Sequence, residues 1–168
     1  MQKARCKQHC KESVLENEKW KRTKNMAEFK PTICLDFDGV IHKYSKGWQN
    51  GEIYDDIMPG FIEWAEKAMP YLKLVIYSSR SKTPEGIAKM KAWLRTQVTQ
   101  HFDCEFHHGS PAEFDRAMAL LDVITFSDTK PTAWLTIDDR AVQFNGNWND
   151  PQYTVEAIKD FRPWNSSK

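Results

Sequence analysis

Two carboxylates two positions apart follow a short apolar run near the start of the chain. The run is Ile33 to Leu35, and the carboxylates are Asp36 and Asp38, followed by Gly39. Side chains alternate between the two faces of a strand, so both aspartates point the same way and repel unless something cationic lies between them. Gly39 lets the backbone turn sharply and approach a bound group. These residues alone leave two interpretations open, a ligand site and an ordinary Asp-Gly turn after a strand.

Three later segments place polar side chains at similar points. The apolar run from Leu72 to Tyr77 leads into Ser78, Ser79 and Arg80, while Lys130 precedes Pro131, and the run from Ala133 to Ile137 closes on Asp138 and Asp139. Short apolar strands are typical of a parallel sheet, whose ligands bind beyond the carboxyl ends of the strands. Each of these polar sets therefore lies where a ligand of such a sheet would bind.

Apolar runs alternate with helical periodicities along the chain. Strands are predicted at 33–35, 72–77 and 133–138, with shorter ones at 102–107 and 141–144. Helices are predicted from Pro59 to Met69, from Thr83 to about Val98, from Ser110 onward, and from Asp150 to about Phe161. This alternation predicts right-handed βαβ units and an α/β fold with a mainly parallel central sheet. Glycines and aromatic residues between 42 and 56 predict a flap beside the site.

Two helical faces are predicted from the spacing of apolar residues. One is a stripe on the helix that begins near Thr83: Ile87, Met90, Leu94 and Val98. The other, on the helix after Ser110, consists of Phe114, Met118 and Leu121. Residues at such spacing lie on one side of a helix, so both sets are expected to be buried.

The composition is that of an ordinary globular protein. The chain has 168 residues with 40% hydrophobic content, and no apolar run approaches the roughly 20 residues that span a bilayer. The basic N-terminus has no apolar segment of the kind a signal peptide contains. The four cysteines are scattered, which argues against a disulfide framework. We therefore expect a cytoplasmic protein without a membrane partner, and the oligomeric state stays open.

Positive charge is concentrated at the N-terminus. Residues 1–25 carry eight Lys/Arg and three Glu, a net charge of +5 that leaves −4 on the remainder of a chain whose total is +1. We divide the chain into a basic arm, 1–30, and a catalytic domain, 31–168. The arm has two open interpretations, nucleic-acid contact and a solvated, partly disordered end. A zinc site at Cys6, His9 and Cys10 is disfavoured because a second ligand pair is missing nearby.

The chain resembles the haloacid dehalogenase (HAD) superfamily of phosphohydrolases in its four motifs. In chain order these are DFDGV, S-x-R at Ser78, Lys130 and IDDR. The resemblance spans roughly residues 31–164. Its S-x-R and IDDR details are similar to the phosphatase half of polynucleotide kinase-phosphatases, and KPTAWLTIDDR and FRPWN are similar to small HAD-like proteins of bacteria and their phages. It implies a Rossmann-like three-layer fold with the first strand central. The motif spacings, 42 and 52 positions, leave no room for a large cap domain.

The resemblance also implies a division of roles among the acidic residues. Asp36 is the expected nucleophile, which forms an aspartyl-phosphate and binds the metal ion. Asp38 is expected to lend its backbone carbonyl to the metal and to act as general acid and then base. Asp138 and Asp139 are expected to complete the metal site, directly or through water. Oxygen ligands of this kind suit Mg²⁺.

Five further residues have expected roles around the phosphate. Ser78 is expected to hydrogen-bond the phosphoryl oxygens, and Lys130 to neutralise the charge that builds on them. Substrate binding is assigned to Gly39, Ser79 and Arg80. For Arg80 two roles stay open, contact with the substrate phosphate and support of the acidic residues.

Together these features predict a Mg²⁺-dependent phosphohydrolase that acts on nucleic-acid 3′-phosphate ends or on nucleotides. The expected partner is a phosphomonoester substrate, and nucleic acid is a second candidate partner. Three flap residues, His42, Lys43 and Trp48, are further candidates to grip the leaving group. Two alternatives remain from sequence: a non-catalytic or regulatory nucleic-acid-binding module with this fold, and a phosphotransferase.

Overall fold

The computed structural model describes residues 29–103 and 110–165, and those from Pro31 onward belong to one compact unit. None of the helices in these ranges is both long and apolar enough to cross a membrane. The predicted arm, 1–30, lies outside the described residues apart from its last two positions. Its boundary, its two interpretations and the question of zinc at Cys6, His9 and Cys10 therefore stay predictions.

The centre of the fold is a four-stranded parallel sheet with strand order β3-β2-β1-β4. Its strands are β1 (Thr32–Leu35), β2 (Lys73–Ile76), β3 (Ile124–Phe126) and β4 (Leu135–Ile137). Strand β1 pairs with β2 on one side and with β4 on the other. The prediction of a parallel α/β sheet with the first strand in a central position is confirmed.

Among the described residues, four α-helices accompany the sheet: α1 (Phe61–Ala68), α2 (Pro84–His101), α3 (Pro111–Val123) and α4 (Val155–Asp160). Short 3₁₀ helices occupy Ser79–Lys82 and Pro151–Tyr153. The predicted helix starts have the expected chemistry. The Thr83 hydroxyl accepts a hydrogen bond from the backbone N–H of Gly86, and Ser110 and Glu113 form a reciprocal capping box.

Three predicted elements differ from the structure. Phe102 and Asp103 form a turn rather than the start of a strand, and 104–109 lie outside the described residues. The third strand is instead 124–126, which follows α3 without any intervening turn residue and so could not be separated from the helix by pattern. Residues 141–144 are irregular rather than a fifth strand. The last helix is divided because Thr154 caps a new helix at Val155.

The core lies between the sheet and the helices. Met90, Leu94 and Val98 of the predicted α2 stripe are buried and belong to one apolar cluster with Leu35 and Ile76. Ile87 is only partly buried.

On α3 the predicted face was wrong in part, because Phe114 is 52% exposed and the buried residues are Ala117 and Leu120. Met118 and Leu121 pack against the core only in part. Apolar residues occur on both sides of this helix, so the 3–4 spacing did not distinguish them.

Strand β4 is less well buried than its partner β1. Leu135 and Ile137 are 52% and 37% exposed, and helix α4 contributes no buried residue. Backbone pairing with β1 is therefore the main interaction that holds β4 in position. The acidic pair that follows β4 depends on this pairing.

Replacing Leu94 by Ala should lower the free energy of unfolding by about 2–5 kcal/mol, because it leaves a cavity in the core. The matched change Leu135→Ala removes the same atoms from a half-exposed site and should cost less than half as much. Urea denaturation measures both. Equal losses would show that β4 is packed as tightly as α2.

Candidate active site

Three carboxylates meet where β1 and β4 end. The pairing of these strands continues beyond them, since the backbone N–H of Asp36 donates to the carbonyl of Ile137 at 2.9 Å. One carboxylate oxygen from each of Asp36, Asp138 and Asp139 lies within 4.8 Å of the others. Ionised carboxylates this close repel one another, so a cation between them would be strongly favoured.

The environment of Asp36 opposes its negative charge. Burial, together with the charges of Asp138, Asp139 and Asp38, raises the pKa of Asp36 to about 6, against the lowering effect of the Phe37 backbone N–H. Without a cation this carboxylate is destabilised at neutral pH.

The Asp139 side chain is fully buried. Neither of its carboxylate oxygens meets the geometry of a hydrogen bond among the described residues. The guanidinium Nε of Arg140 approaches Oδ2 only to 3.7 Å. Burial is the main cause that raises the pKa of Asp139, while Arg140 and the nearby Asn165 side chain oppose the shift. Buried oxygens without partners, in a set of donors that are all oxygen, fit a hard divalent cation such as Mg²⁺.

Asp138 is more exposed, and its Oδ1 accepts a hydrogen bond from the backbone N–H of Arg140 at 2.8 Å. One of its two oxygens is thus engaged within the protein, whereas both oxygens of Asp139 are available. This difference separates two aspartates that sequence alone treats alike.

Asp38 has the opposite environment to Asp36. Its Oδ1 is 2.9 Å from His42 Nδ1, and its Oδ2 accepts from Arg80 Nε at 2.7 Å. Burial alone would raise the pKa of Asp38, but the hydrogen bonds from His42 and Arg80 outweigh it and hold that pKa below the ordinary value. Asp38 is therefore an ionised carboxylate with both oxygens engaged.

His42 is fully buried and oriented by the flap. Its Nε2 accepts from the backbone N–H of Asp55 at 3.1 Å, so in the neutral ring the proton lies on Nδ1 and is donated to Asp38. Both ring nitrogens are thus engaged within the protein, and His42 positions Asp38 rather than facing a leaving group. Lys43, another flap candidate, lies 3.5 Å from the Asp56 carboxylate.

Arg80 fastens the flap to the site. Besides Asp38, its guanidinium donates to the carbonyls of Gly51 at 2.8 Å and Glu52 at 3.2 Å. Its side chain is 4% exposed. These hydrogen bonds engage three of the five guanidinium N–H groups and match one of its two expected roles, support of the acidic residues. The other role, contact with the substrate phosphate, stays a prediction.

The remaining predicted residues lie around this centre. Ser78 is buried two residues beyond β2, whose pairing with β1 continues through the Tyr77 N–H to the Leu35 carbonyl at 3.0 Å. Ser79 is exposed. Lys130 is exposed and forms no ion pair within the described ranges, but its charge lowers the pKa of the buried Cys34 thiol, against the larger effect of burial.

Residues near the C-terminus also reach the site, which sequence reasoning missed. The Trp164 indole donates to the Gly39 carbonyl at 3.0 Å. A Cβ on Gly39 would lie 2.5 Å from Asp139 Oδ2 and 2.7 Å from Asn165 Nδ2, and Gly39 has φ +86°. Gly39 is thus required both for its conformation and for its lack of a side chain. The phrase FRPWN carried no physical signal for this contact, which spans 125 positions.

A family model described as the HAD domain in Swiss Army Knife RNA repair proteins matches residues 32–159. The match covers more than half of the chain and includes every predicted catalytic and metal-binding residue from Asp36 to Asp139. Trp164 and Asn165 lie beyond it. No curated protein and no solved structure matches the chain.

Replacing Gly39 by Ala should disrupt the acidic site, because the added methyl group would collide with the Asp139 carboxylate. We expect loss of metal binding, measured by calorimetric titration with Mg²⁺. Gly47→Ala is the control, since Gly47 also has a positive φ, +67°, but has open space around it. It should cost about 1 kcal/mol of stability and retain metal binding. Equal metal affinity in both variants would contradict the crowding at Gly39.

The isosteric change Asp36→Asn should stabilise the metal-free protein at pH 8 by roughly 1–3 kcal/mol, because it removes a repelled carboxylate. The folded pKa of about 6 lies above the ordinary aspartate value of 3.8. Ionisation of Asp36 therefore lowers the free energy of unfolding of the wild type as the pH rises from about 4 to about 6. The stability advantage of the variant should accordingly disappear near pH 4. Urea denaturation in EDTA at several pH values measures the difference. A stability difference between the two proteins that stays constant across this pH range would refute the raised pKa of Asp36.

Proposed function

Since the chain belongs to the family of HAD domains in Swiss Army Knife RNA repair proteins, and so to the HAD superfamily of phosphohydrolases, we propose that it hydrolyses phosphomonoesters with Mg²⁺ through an aspartyl-phosphate. We propose nucleic-acid 3′-phosphate ends or nucleotides as its substrates. The observation that carries this proposal is the meeting of Asp36, Asp138 and Asp139 within 4.8 Å at the carboxyl ends of two paired strands.

Asp36, Asp138 and Asp139 would hold the metal ion, with the backbone carbonyl of Asp38. Asp139 is the stronger direct ligand of the acidic pair because both its oxygens are buried and unpartnered. Bound Mg²⁺ would offset the negative charge of the phosphoryl oxygens and orient the phosphate for attack. This charge neutralisation is needed because the substrate brings negative charge to a site that already carries three carboxylates.

The proposed reaction has two displacements at phosphorus. An oxygen of Asp36 attacks the phosphate, the bond to the leaving oxygen breaks, and that oxygen takes a proton from Asp38. Water then attacks the aspartyl-phosphate and gives a proton to Asp38, the bond to Asp36 breaks, and inorganic phosphate leaves. Ser78 and Lys130 stabilise the phosphoryl oxygens during both steps.

The contacts of Asp38 favour the second of these proton transfers. Hydrogen bonds from His42 and Arg80 hold its pKa low, which favours an ionised carboxylate ready for a proton from water. Protonation of the leaving group requires Asp38 to carry a proton first, so this step works against those two hydrogen bonds. Substrates with poor leaving groups, such as nucleoside 3′-phosphates, depend most on it.

Two features support a polynucleotide end as the substrate. The short spacings between motifs leave no large cap over the carboxylates, so a bulky leaving group has access. The matching family is described by its occurrence in RNA repair proteins, and removal of a phosphate from a 3′ end restores the 3′-hydroxyl at which a broken strand can be joined. The resemblance of S-x-R and IDDR to polynucleotide phosphatases agrees with this.

Purified protein comprising residues 1–168 should release inorganic phosphate from a 3′-phosphorylated oligoribonucleotide in Mg²⁺, and EDTA should abolish the release. Asp36→Asn should reduce kcat at least about 10³-fold, because the variant lacks the nucleophile. The control, Asp122→Asn, makes the same chemical change on the exposed surface of α3 and should retain activity.

Retained turnover in the Asp36→Asn variant would refute the assigned nucleophile. Phosphate transfer to an added alcohol in place of water would indicate a phosphotransferase. Tight oligonucleotide binding without turnover or Mg²⁺ binding would instead favour a non-catalytic module.

A further inference from the structure

A cavity of about 240 Å³ lies next to the proposed site. Its lining includes Trp48 and Gly51 of the flap, Ser79 and Arg80 after β2, and Lys89 of α2. The cavity is smaller than the roughly 300–1,000 Å³ of pockets that hold drug-sized ligands. It therefore has the dimensions for one small planar group rather than for an extended chain.

Arg80 joins this cavity to the reacting centre. One side of its guanidinium holds Asp38 Oδ2 at 2.7 Å, and the same residue forms a wall of the cavity. In the proposed reaction Asp38 protonates the leaving oxygen, so the leaving group must lie beside Asp38. Because Arg80 contacts both Asp38 and the cavity, a leaving group that extends from that oxygen along Arg80 would reach the cavity.

Trp48 gives the cavity an aromatic surface. The residue is 59% exposed, and its ring lies 5.1 Å from the Arg80 guanidinium. An exposed tryptophan ring with a cation against it is a surface on which a further planar group can stack.

The flap that carries Trp48 is well fastened to the domain. Besides the two carbonyls bound by Arg80, the Trp93 indole donates to the Asp55 carbonyl at 3.1 Å. The Gln97 side chain accepts from the Ile57 N–H at 2.9 Å. Trp48 is thus presented by a loop with defined anchors on α2, which reduces the ordering cost of stacking against it.

The charges around the cavity favour a neutral ligand. Lys89 is balanced by Glu85, which also lines the cavity, and Arg80 is paired with Asp38. A second phosphate would find no net positive charge here, whereas a nucleobase needs only an aromatic surface and polar groups at its edge. The exposed Ser79 and the hydroxyl-bearing Thr83 supply such groups.

We propose that this cavity binds the base of the nucleotide that carries the scissile phosphate, stacked on Trp48. The inference rests on the proposed function and adds a recognition site to it. It makes the protein select a nucleotide end over other phosphomonoesters without selecting a particular base, because every base has a face that can stack. This site would replace the selectivity that a cap domain would otherwise provide.

Two oligonucleotides that differ only in the terminal base test the proposal. One ends in an ordinary 3′-phosphorylated nucleotide, and the other ends in an abasic 3′-phosphorylated sugar. The wild type should prefer the base-bearing end in kcat/KM by about tenfold, in the range of a stacked base. Trp48→Ala should reduce this ratio to near one, and Trp48→Phe should preserve most of it.

The matched control is Trp134→Ala, since Trp134 is an exposed tryptophan at the opposite end of β4 and should leave the tenfold ratio intact. A preference that persists in Trp48→Ala, or that the wild type does not show, would overturn the proposal.

Calorimetric titration with a nucleoside 3′-monophosphate gives a second readout that needs no turnover. Weaker binding in Trp48→Ala than in Trp134→Ala supports the base site, and equal binding refutes it. Absence of phosphate release from either wild-type substrate would be a failure of the proposed function instead.

Discussion

The parallel pairing of β1 with β4 forces three negative charges into one small volume. Asp36 ends one strand and Asp138 and Asp139 end the other, and the last backbone hydrogen bond between them joins Asp36 to Ile137. Repulsion and burial together raise the pKa of Asp36 to about 6. Strand β4 buries little apolar surface of its own, so the sheet hydrogen bonds must hold the arrangement against this repulsion. A divalent cation would convert the same arrangement from a destabilising one into a stabilising one.

Asp36 and Asp38 are two positions apart and yet have opposite electrostatic environments. Asp36 faces other carboxylates, whereas Asp38 is held by the Arg80 guanidinium and by the His42 ring. The resulting pKa shifts are opposite in direction to those of a nucleophile beside a general acid, where the nucleophile is the more acidic group. A bound cation would lower the pKa of Asp36 and keep that carboxylate ionised. The flap is part of this arrangement, since it orients His42 through Asp55 and accepts two hydrogen bonds from Arg80. Flap position and the ionisation of Asp38 are thereby coupled.

Sequence patterns predicted the elements that have a strong local signal. The apolar run before Asp36, the stripe through Met90 and Leu94, and the capping box at Ser110 all appear in the structure. Weak local signals gave errors. Strand β3 has three residues and directly follows a helix, so no turn residue marked it. Phe114 was assigned to the core because spacing shows which residues share a face but not which of two apolar faces meets the sheet.

By itself, the sequence determined the kinds of chemical groups present, their order along the chain and their positions at the ends of apolar segments, because these depend on residue identity and local periodicity. Only the tertiary structure decided which groups meet. Arg80 engages Asp38 across 42 positions, and Trp164 approaches Gly39 across 125 positions. Such contacts depend on how the strands pair and the loops pack, and no local pattern in the chain encodes them.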